Sequence, residues 1–326
     1  MSGKHKVSYK SGMEQRDFID ELERLRERLN SFIQPTPLKQ LEEGLWAKCE
    51  YEQPTGSFKI RPAFNSILSK LSEARSRGVV AASSGNFAQA IAYASRELGV
   101  KSQIVMLSTT SKLKIQKTKE LGAEVILCGE KFEDRAKMLD EISNRTSAIR
   151  AHPFDSWETI LGDSSLGLEI LDETSDVFDL WVPASGGGLV AGLSYTLKHF
   201  EPAHRIFACQ PENNSCLSGS ILAGKPVTVD RVESLADALI ATRPGKLTFP
   251  IIQRHVSACY DVSEEEIVAA LKSLWAKYAI KVEPASAVAY AAYSKYAEFY
   301  PKRKHLLILT GCNIDEKLWM KLISGS

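Results

Sequence analysis

From Leu45 onward, short β-rich runs alternate with longer stretches of helical period. This alternation confines the chain to βαβ units built on parallel sheet. Strands are expected over residues 45–51, 79–82, 104–107, 124–127, 178–183, 206–210 and 305–310. Between them, Ile60, Phe64, Ile67, Leu68 and Leu71 recur at helical spacing. A further helix runs from the Gly85-Asn86 turn through residue 98, and a basic one spans 112–121. Ser263 with Glu266 three residues later reads as a capping box opening a helix through residue 278. The glycine- and proline-bearing stretch 219–226 reads as a loop.

Bulk properties bound the partners. The 326 residues suffice for one large domain or two modest ones. Hydrophobic residues at 44% and charged residues at 25% are the balance of a soluble globular protein. A formal net charge of +1 gives no ground for a nucleic-acid partner or for capture by an anionic membrane. No apolar run nears the roughly 20 residues that span a bilayer, and residues 1–28 carry no apolar signal core. The six cysteines are scattered without C-x-x-C or metal-ligand spacing, so reduced thiols in a cytoplasmic protein are expected, and no bound metal.

Functional residues in open α/β sheets gather where strand ends enter helices. Three segments with unusual composition fall there: Gln53-Pro54-Thr55-Gly56-Ser57-Phe58-Lys59, Ser83-Ser84-Gly85-Asn86-Phe87-Ala88-Gln89 and Ser185-Gly186-Gly187-Gly188-Leu189. A fourth, Thr310-Gly311-Cys312-Asn313, ends the last strand. Consecutive glycines between a strand and a helix let backbone N–H groups close on an anion such as phosphate. A structural turn with no ligand has the same composition. No Gly-Lys-Ser/Thr follows and no G-x-G-x-x-G is present, which disfavours an ATP loop and a dinucleotide fingerprint. Lys59 opens a helix. An exposed lysine is the simplest reading of it, whereas burial beside a helix N-terminus would depress its pKa as a Schiff-base lysine requires.

Together the segments resemble a known family. Pro54-Thr55-Gly56-Ser57-Phe58-Lys59-Ile60-Arg61 is similar to its lysine motif, Ser83-Ser84-Gly85-Asn86 to its substrate loop and Ser185-Gly186-Gly187-Gly188-Leu189 to its phosphate loop, in the family's order. The chain resembles the fold-type II pyridoxal-phosphate (PLP) enzymes of the serine/threonine dehydratase and serine racemase group, over roughly residues 34–315. The resemblance implies an α/β architecture of two open parallel sheets with flanking helices, as in the tryptophan synthase β fold. A small domain would span 78–154, and a large PLP-binding domain 1–77 and 155–326. It implies that Phe58 and Lys59 contact the cofactor, with Lys59 carrying it as a Schiff base and removing the substrate's Cα proton. Asn86 would bond the cofactor's phenolic oxygen, residues Ser185, Gly186, Gly187, Gly188 and Leu189 its phosphate, and Thr310 its ring nitrogen. Ser83, Ser84, Gly85, Asn86, Phe87 and Ala88 would hold the substrate carboxylate. Glu283 would line the site, although a solvated helix cap is an equal reading of it. A homodimer follows by analogy alone.

A neutral hydroxyl at Thr310 would not keep the ring nitrogen protonated as an aspartate would. The ring is then a weaker electron sink, and prompt loss of a β-leaving group is favoured. Serine or threonine would so become a 2-oxo acid and ammonia. Ser84 keeps racemisation open, because racemases of the group carry a serine there that returns a proton to Cα. β-Replacement on the same scaffold and a non-catalytic PLP-binding protein are the remaining alternatives. Phe87, Pro62 and Ser185 depart from the family's usual histidine and two glycines. Gln210, Asn214 and Cys216 stand where many members bind a divalent cation, so that site is expected to be lost. Segment 155–165 departs from the glycine-rich pattern of dehydratases. The chain ends soon after Asp315, so a C-terminal regulatory domain is not expected.

Overall fold

A computed structural model describes residues 15–230 and 232–324. Ten strands form two sheets: β1 (Leu38–Glu42), β2 (Leu45–Lys48), β3 (Val79–Ala82), β4 (Ser102–Leu107), β5 (Glu124–Cys128), β6 (Ile149–Ala151), β7 (Phe178–Pro183), β8 (Arg205–Pro211), β9 (Ala258–Val262) and β10 (Lys304–Ile308). The larger sheet has the order β1-β2-β10-β7-β8-β9 and the smaller the order β5-β4-β3-β6. All pairings are parallel except β1 with β2, an antiparallel hairpin at the edge of the larger sheet.

The central strands are buried on both faces, which is why they read as unbroken apolar runs in the sequence. Their alternate residues serve opposite layers. Phe178, Leu180 and Val182 of β7, with Leu306 and Ile308 of β10, join a core under the helices Ile60–Leu68, Trp157–Glu173 and Gly188–Phe200. Trp181 and Leu307 face the other way, onto the helices Glu264–Tyr278 and Pro284–Tyr296. One face of the smaller sheet, through Val79, Ala81, Ile104 and Met106, shares the first of these cores.

A buried ionic cluster ties the lysine-bearing helix to its neighbours. Arg61 donates from Nε to Glu50 at 2.7 Å and from Nη2 to Glu50 and Glu169 at 2.8 and 2.6 Å. Thr36 Oγ1 adds a hydrogen bond to Glu50 at 2.6 Å, and Lys48 bridges Glu169 and Glu173. Burial alone would raise the Glu50 pKa, but the charge and hydrogen bonds of Arg61 outweigh it and hold the carboxylate below its ordinary value.

Most expected elements are present, and four differ, the last strand among them, which ends at Ile308 rather than at residue 310. The strand expected over 45–51 stops at Lys48 and gives way to a 3₁₀ turn, Glu50–Glu52, which turns Glu50 inward to Arg61. The helical run through Leu71 is two helices, Ile60–Leu68 and Leu71–Arg77. The stretch read as a loop over 219–226 is helical through Ala223, because the helix Cys216–Ala223 buries Leu217 and ends only at Gly224, with φ +66°. The capping box of Ser263 and Glu266 forms as expected, opening the helix Glu264–Tyr278.

Candidate active site

The carboxyl ends of β3, β6, β7 and β10 open into one cleft of about 510 Å³. In both sheets the strand order reverses at this point, the place where open α/β sheets offer a crevice. The lysine loop is stitched to the end of β10. Phe58 N–H donates to Thr310 O at 3.0 Å, Cys312 N–H donates to Gly56 O at 2.9 Å, and Ser57 bridges Gly311. Gly56 makes this possible: its φ is +68°, and a Cβ there would lie 3.1 Å from the Asn313 side chain.

Lys59 immediately precedes the helix Ile60–Leu68 and is half-buried in the cleft wall. Nζ donates to Pro153 O at 2.7 Å and stands 4.7 Å from the Phe58 ring centre and 5.8 Å from that of Phe87. Burial lowers its pKa, and the nearby Asp163 carboxyl opposes that shift.

The glycine loop lines the same cleft, at the end of β7. Among the described residues, none of the backbone N–H groups of 185–189 donates a hydrogen bond. A Cβ on Gly186 would fall 2.4 Å from the Phe154 ring, and Gly187 adopts φ +98°. The Ser185 hydroxyl accepts from Ala241 N–H at 3.0 Å, which turns it away from a glycine's role and into an anchor for the 241 segment.

The loop after β3 supplies the third wall. Ser83, Ser84, Gly85, Asn86 and Phe87 line the cleft, whereas Ala88 is buried in the core and Gln89 takes its place at the wall. Gly85 N–H is bonded to Ser83 Oγ and Ala88 N–H to Gly85 O. The N–H groups of Ser84, Asn86 and Phe87 make no such bond among the described residues. Ser84 Oγ is 3.0 Å from Thr110 Oγ1. Asn86 Nδ2 donates to Glu283 at 2.7 Å, and Asn86 Oδ1 accepts from Asn313 at 2.9 Å. Glu283 precedes the helix Pro284–Tyr296 but makes no cap; it is buried in the cleft wall. Burial, reinforced by Asp237, raises its pKa to about 8 despite the Asn86 hydrogen bond. Thr310 lines the cleft beside it.

Gln210 lies near the end of β8. Its amide donates to Asn214 O at 3.3 Å and accepts from Leu217 and Ser218 N–H, spanning the turn with neutral groups.

Sequence reasoning missed the turn after β6. His152 Nδ1 accepts from Phe154 and Asp155 N–H, and this places Pro153 O on Lys59 and the Phe154 ring under the glycine loop. Asp155 accepts from Lys246 and Leu247 N–H at the start of the helix Thr248–His255. It also missed Asp163, although a signal existed. This is the single charged residue between Glu158 and Glu169, inside a helix whose other residues there are apolar or small.

Comparison with known proteins agrees with this geometry. Residues 29–311 match the family described as pyridoxal-phosphate dependent enzyme. The chain is 37% identical to the L-threonine ammonia-lyase of Thermotoga maritima over 280 residues, covering 86% of this chain and 70% of that one. It is 34% identical to the catabolic L-threonine dehydratase of Escherichia coli K12, covering 91% of this chain and 93% of that one. The maize serine racemase structure superposes with a TM-score of 0.88 at 31% identity, covering 94% and 97% of the two chains.

Proposed function

Because the chain belongs to the pyridoxal-phosphate dependent enzymes, we propose that it is an ammonia-lyase converting a β-hydroxy amino acid, serine or threonine, to a 2-oxo acid and ammonia. The observation that carries this reading is the half-buried Lys59 amine in one cleft with a glycine loop whose N–H groups are all unspent. The residues fit the cofactor. Unpaired N–H groups at residues 185–189 suit a phosphate, and side chains on the glycines would displace Phe154. When bound, PLP supplies the electron sink for loss of the Cα proton and the β-hydroxyl.

The protein's own groups then divide the work. Lys59, its pKa depressed by burial, takes and returns the proton at Cα. The free N–H groups of Ser84, Asn86 and Phe87 hold the substrate carboxylate at the start of the helix Asn86–Glu97. Asn86, fixed by Glu283 and Asn313, and Thr310 orient the ring, while Phe58 and Phe87 exclude water around Nζ. Residues 78–154 form the small domain of this reading, and the active species is a homodimer. A cytoplasmic setting accords with six cysteines that are all free thiols.

Ser84 favours a second reading. Its hydroxyl lines the same cleft as Lys59 and is hydrogen-bonded to Thr110, so it can return a proton to Cα and racemise the substrate. Release of 2-oxo acid from L-serine and L-threonine, with Lys59→Ala as control, tests the lyase. Change in optical rotation without oxo acid, abolished in Ser84→Ala, would replace it with the racemase.

A further inference from the structure

The helices Trp157–Glu173 and Gly188–Phe200 pack backbone to backbone at one point, and a carboxyl is sealed between them. A Cβ on Gly192 would lie 2.6 Å from Ile160 O and 2.8 Å from Ser164 N, so the helices close on each other only because glycine stands there. Ser164 Oγ adds a hydrogen bond to Gly192 O at 3.3 Å. One turn back along the second helix, Asp163 faces Gly188: its Oδ2 lies 3.0 Å from the position a Cβ there would take. Asp163 is wholly buried, and among the described residues neither of its carboxyl oxygens has a hydrogen-bond partner. Gly188 opens its helix and belongs to the glycine loop whose N–H groups are unspent. The acid and the loop read above as the phosphate site thus share one helix N-terminus.

A helix N-terminus favours one anion. Two anions side by side, with protein rather than water around them, repel, and a buried carboxylate without a hydrogen bond is costly. A phosphate dianion held by the loop therefore favours Asp163 as the neutral acid. The other charged groups packed around it are committed elsewhere. Arg61 and Glu50 are bonded to each other. On Asp163's own helix, Glu158 is paired with Lys70, and Glu169 with Arg61 and Lys48. The helix Gly188–Phe200 has no acid in its first turn. In the turn after β6, Asp155 accepts from backbone N–H groups, and burial favours the neutral imidazole of His152. Burial raises the Asp163 pKa to about 7, against the charges of Lys59 and Arg61 and with that of Glu50. The carboxyl is poised to take or lose a proton near neutrality.

We propose that the glycine loop takes the cofactor's phosphate together with a proton on Asp163, which makes Asp163 the residue that ties cofactor retention to pH. One O–H bond forms on the carboxyl for each phosphate dianion held, and the proton comes from solvent. Rising pH removes that proton, restores the second anion and loosens the phosphate. The inference rests on the reading of residues 185–189 as the phosphate site and on no step of the reaction.

The test measures binding, not turnover. The full chain freed of cofactor is titrated, in buffers without phosphate, with pyridoxine 5′-phosphate, which lacks the aldehyde that joins a lysine. Unphosphorylated pyridoxine is the control. Wild type should lose affinity for the phosphate ester by about tenfold per pH unit between about pH 7 and 8.5, the slope of one linked proton. Asp163→Asn should hold its affinity level over that range, and wild type should show no such slope with pyridoxine. Were D163N not to fold, Asp163→Ser, equally unable to ionise, takes its place. A level or rising wild-type affinity, a slope kept in the variant, or an equal slope with pyridoxine would each overturn the proposal. Failure of the oxo-acid assay with the slope intact would remove the lyase reading and leave the linkage standing.

Discussion

Lys59 and Arg61 stand two residues apart, the first half-buried at the cleft and the second buried, and the fold treats them in opposite ways. Arg61 meets two carboxylates in a fork of short hydrogen bonds, with Thr36 and Lys48 completing the partners of Glu50 and Glu169. Lys59 meets one backbone carbonyl and, among the described residues, no carboxylate within hydrogen-bond reach. The first arrangement fixes charges and locks three segments together. The second leaves the amine without a carboxylate partner, so desolvation lowers its pKa, which is what acid–base chemistry needs and what stability alone would not select. Depth of burial and satisfaction of the hydrogen-bonding groups together separate them.

The comparison can be broken most forcefully at its chemical end. Lys59→Ala should lower the rate of oxo-acid release by roughly 10²–10⁴ while leaving the unfolding midpoint in urea unchanged or higher, because a costly buried amine is gone. A marked loss of stability instead would make Lys59 a structural residue like its neighbour. Arg61→Met should do the reverse, destabilising the fold by about 3–5 kcal/mol because Glu50 is left buried and unpaired. Urea unfolding measures this, and a loss under about 1 kcal/mol would reduce the cluster to decoration. Thr36→Val removes one of the donors to Glu50 and should cost less, about 1.5–2 kcal/mol.

The smallest effects are the most discriminating, because the two acids titrate in opposite senses. Glu50 has a lowered pKa, so its contribution is present above its ordinary value of 4.5 and is lost as pH falls through the folded value. Asp163 is raised from an ordinary 3.8 to about 7, so its contribution is present below 3.8 and is lost as pH rises toward 7. Glu50→Gln should therefore blunt the acid loss of stability, and Asp163→Asn should flatten the decline between about pH 4 and 7. Urea midpoints collected across pH would show both slopes. The contrast fails if D163N retains the wild-type decline.

Much of this site was legible because its parts are local. The lysine loop, the Ser83–Gln89 segment and the Ser185–Leu189 run each lie within a few residues and follow a strand, so their composition announces a strand end. Strand β7 was readable to its last residue, since a fully buried parallel strand is apolar without interruption. Strand β6 was not: three residues carry too little periodicity to register, and the turn from His152 to Asp155 was hidden with it. Glu283 left its role open because a glutamate before a proline at a helix start has the same sequence whether it caps in solvent or is buried. Ala88, within a motif, faces the core because helical geometry turns successive residues about the axis.

The sequence by itself determined the alternation of strands and helices, the loops at the strand ends, the capping box and the identity of the candidate lysine, because each depends on neighbours along the chain. Only the tertiary structure decided that Arg61 would be quenched and Lys59 would not. Their partners arrive from far away, Glu169 at a separation of 108 residues and the Pro153 carbonyl at 94. The pKa of a buried group depends on which donors surround it in space, and that is settled only when helices two loops apart pack together.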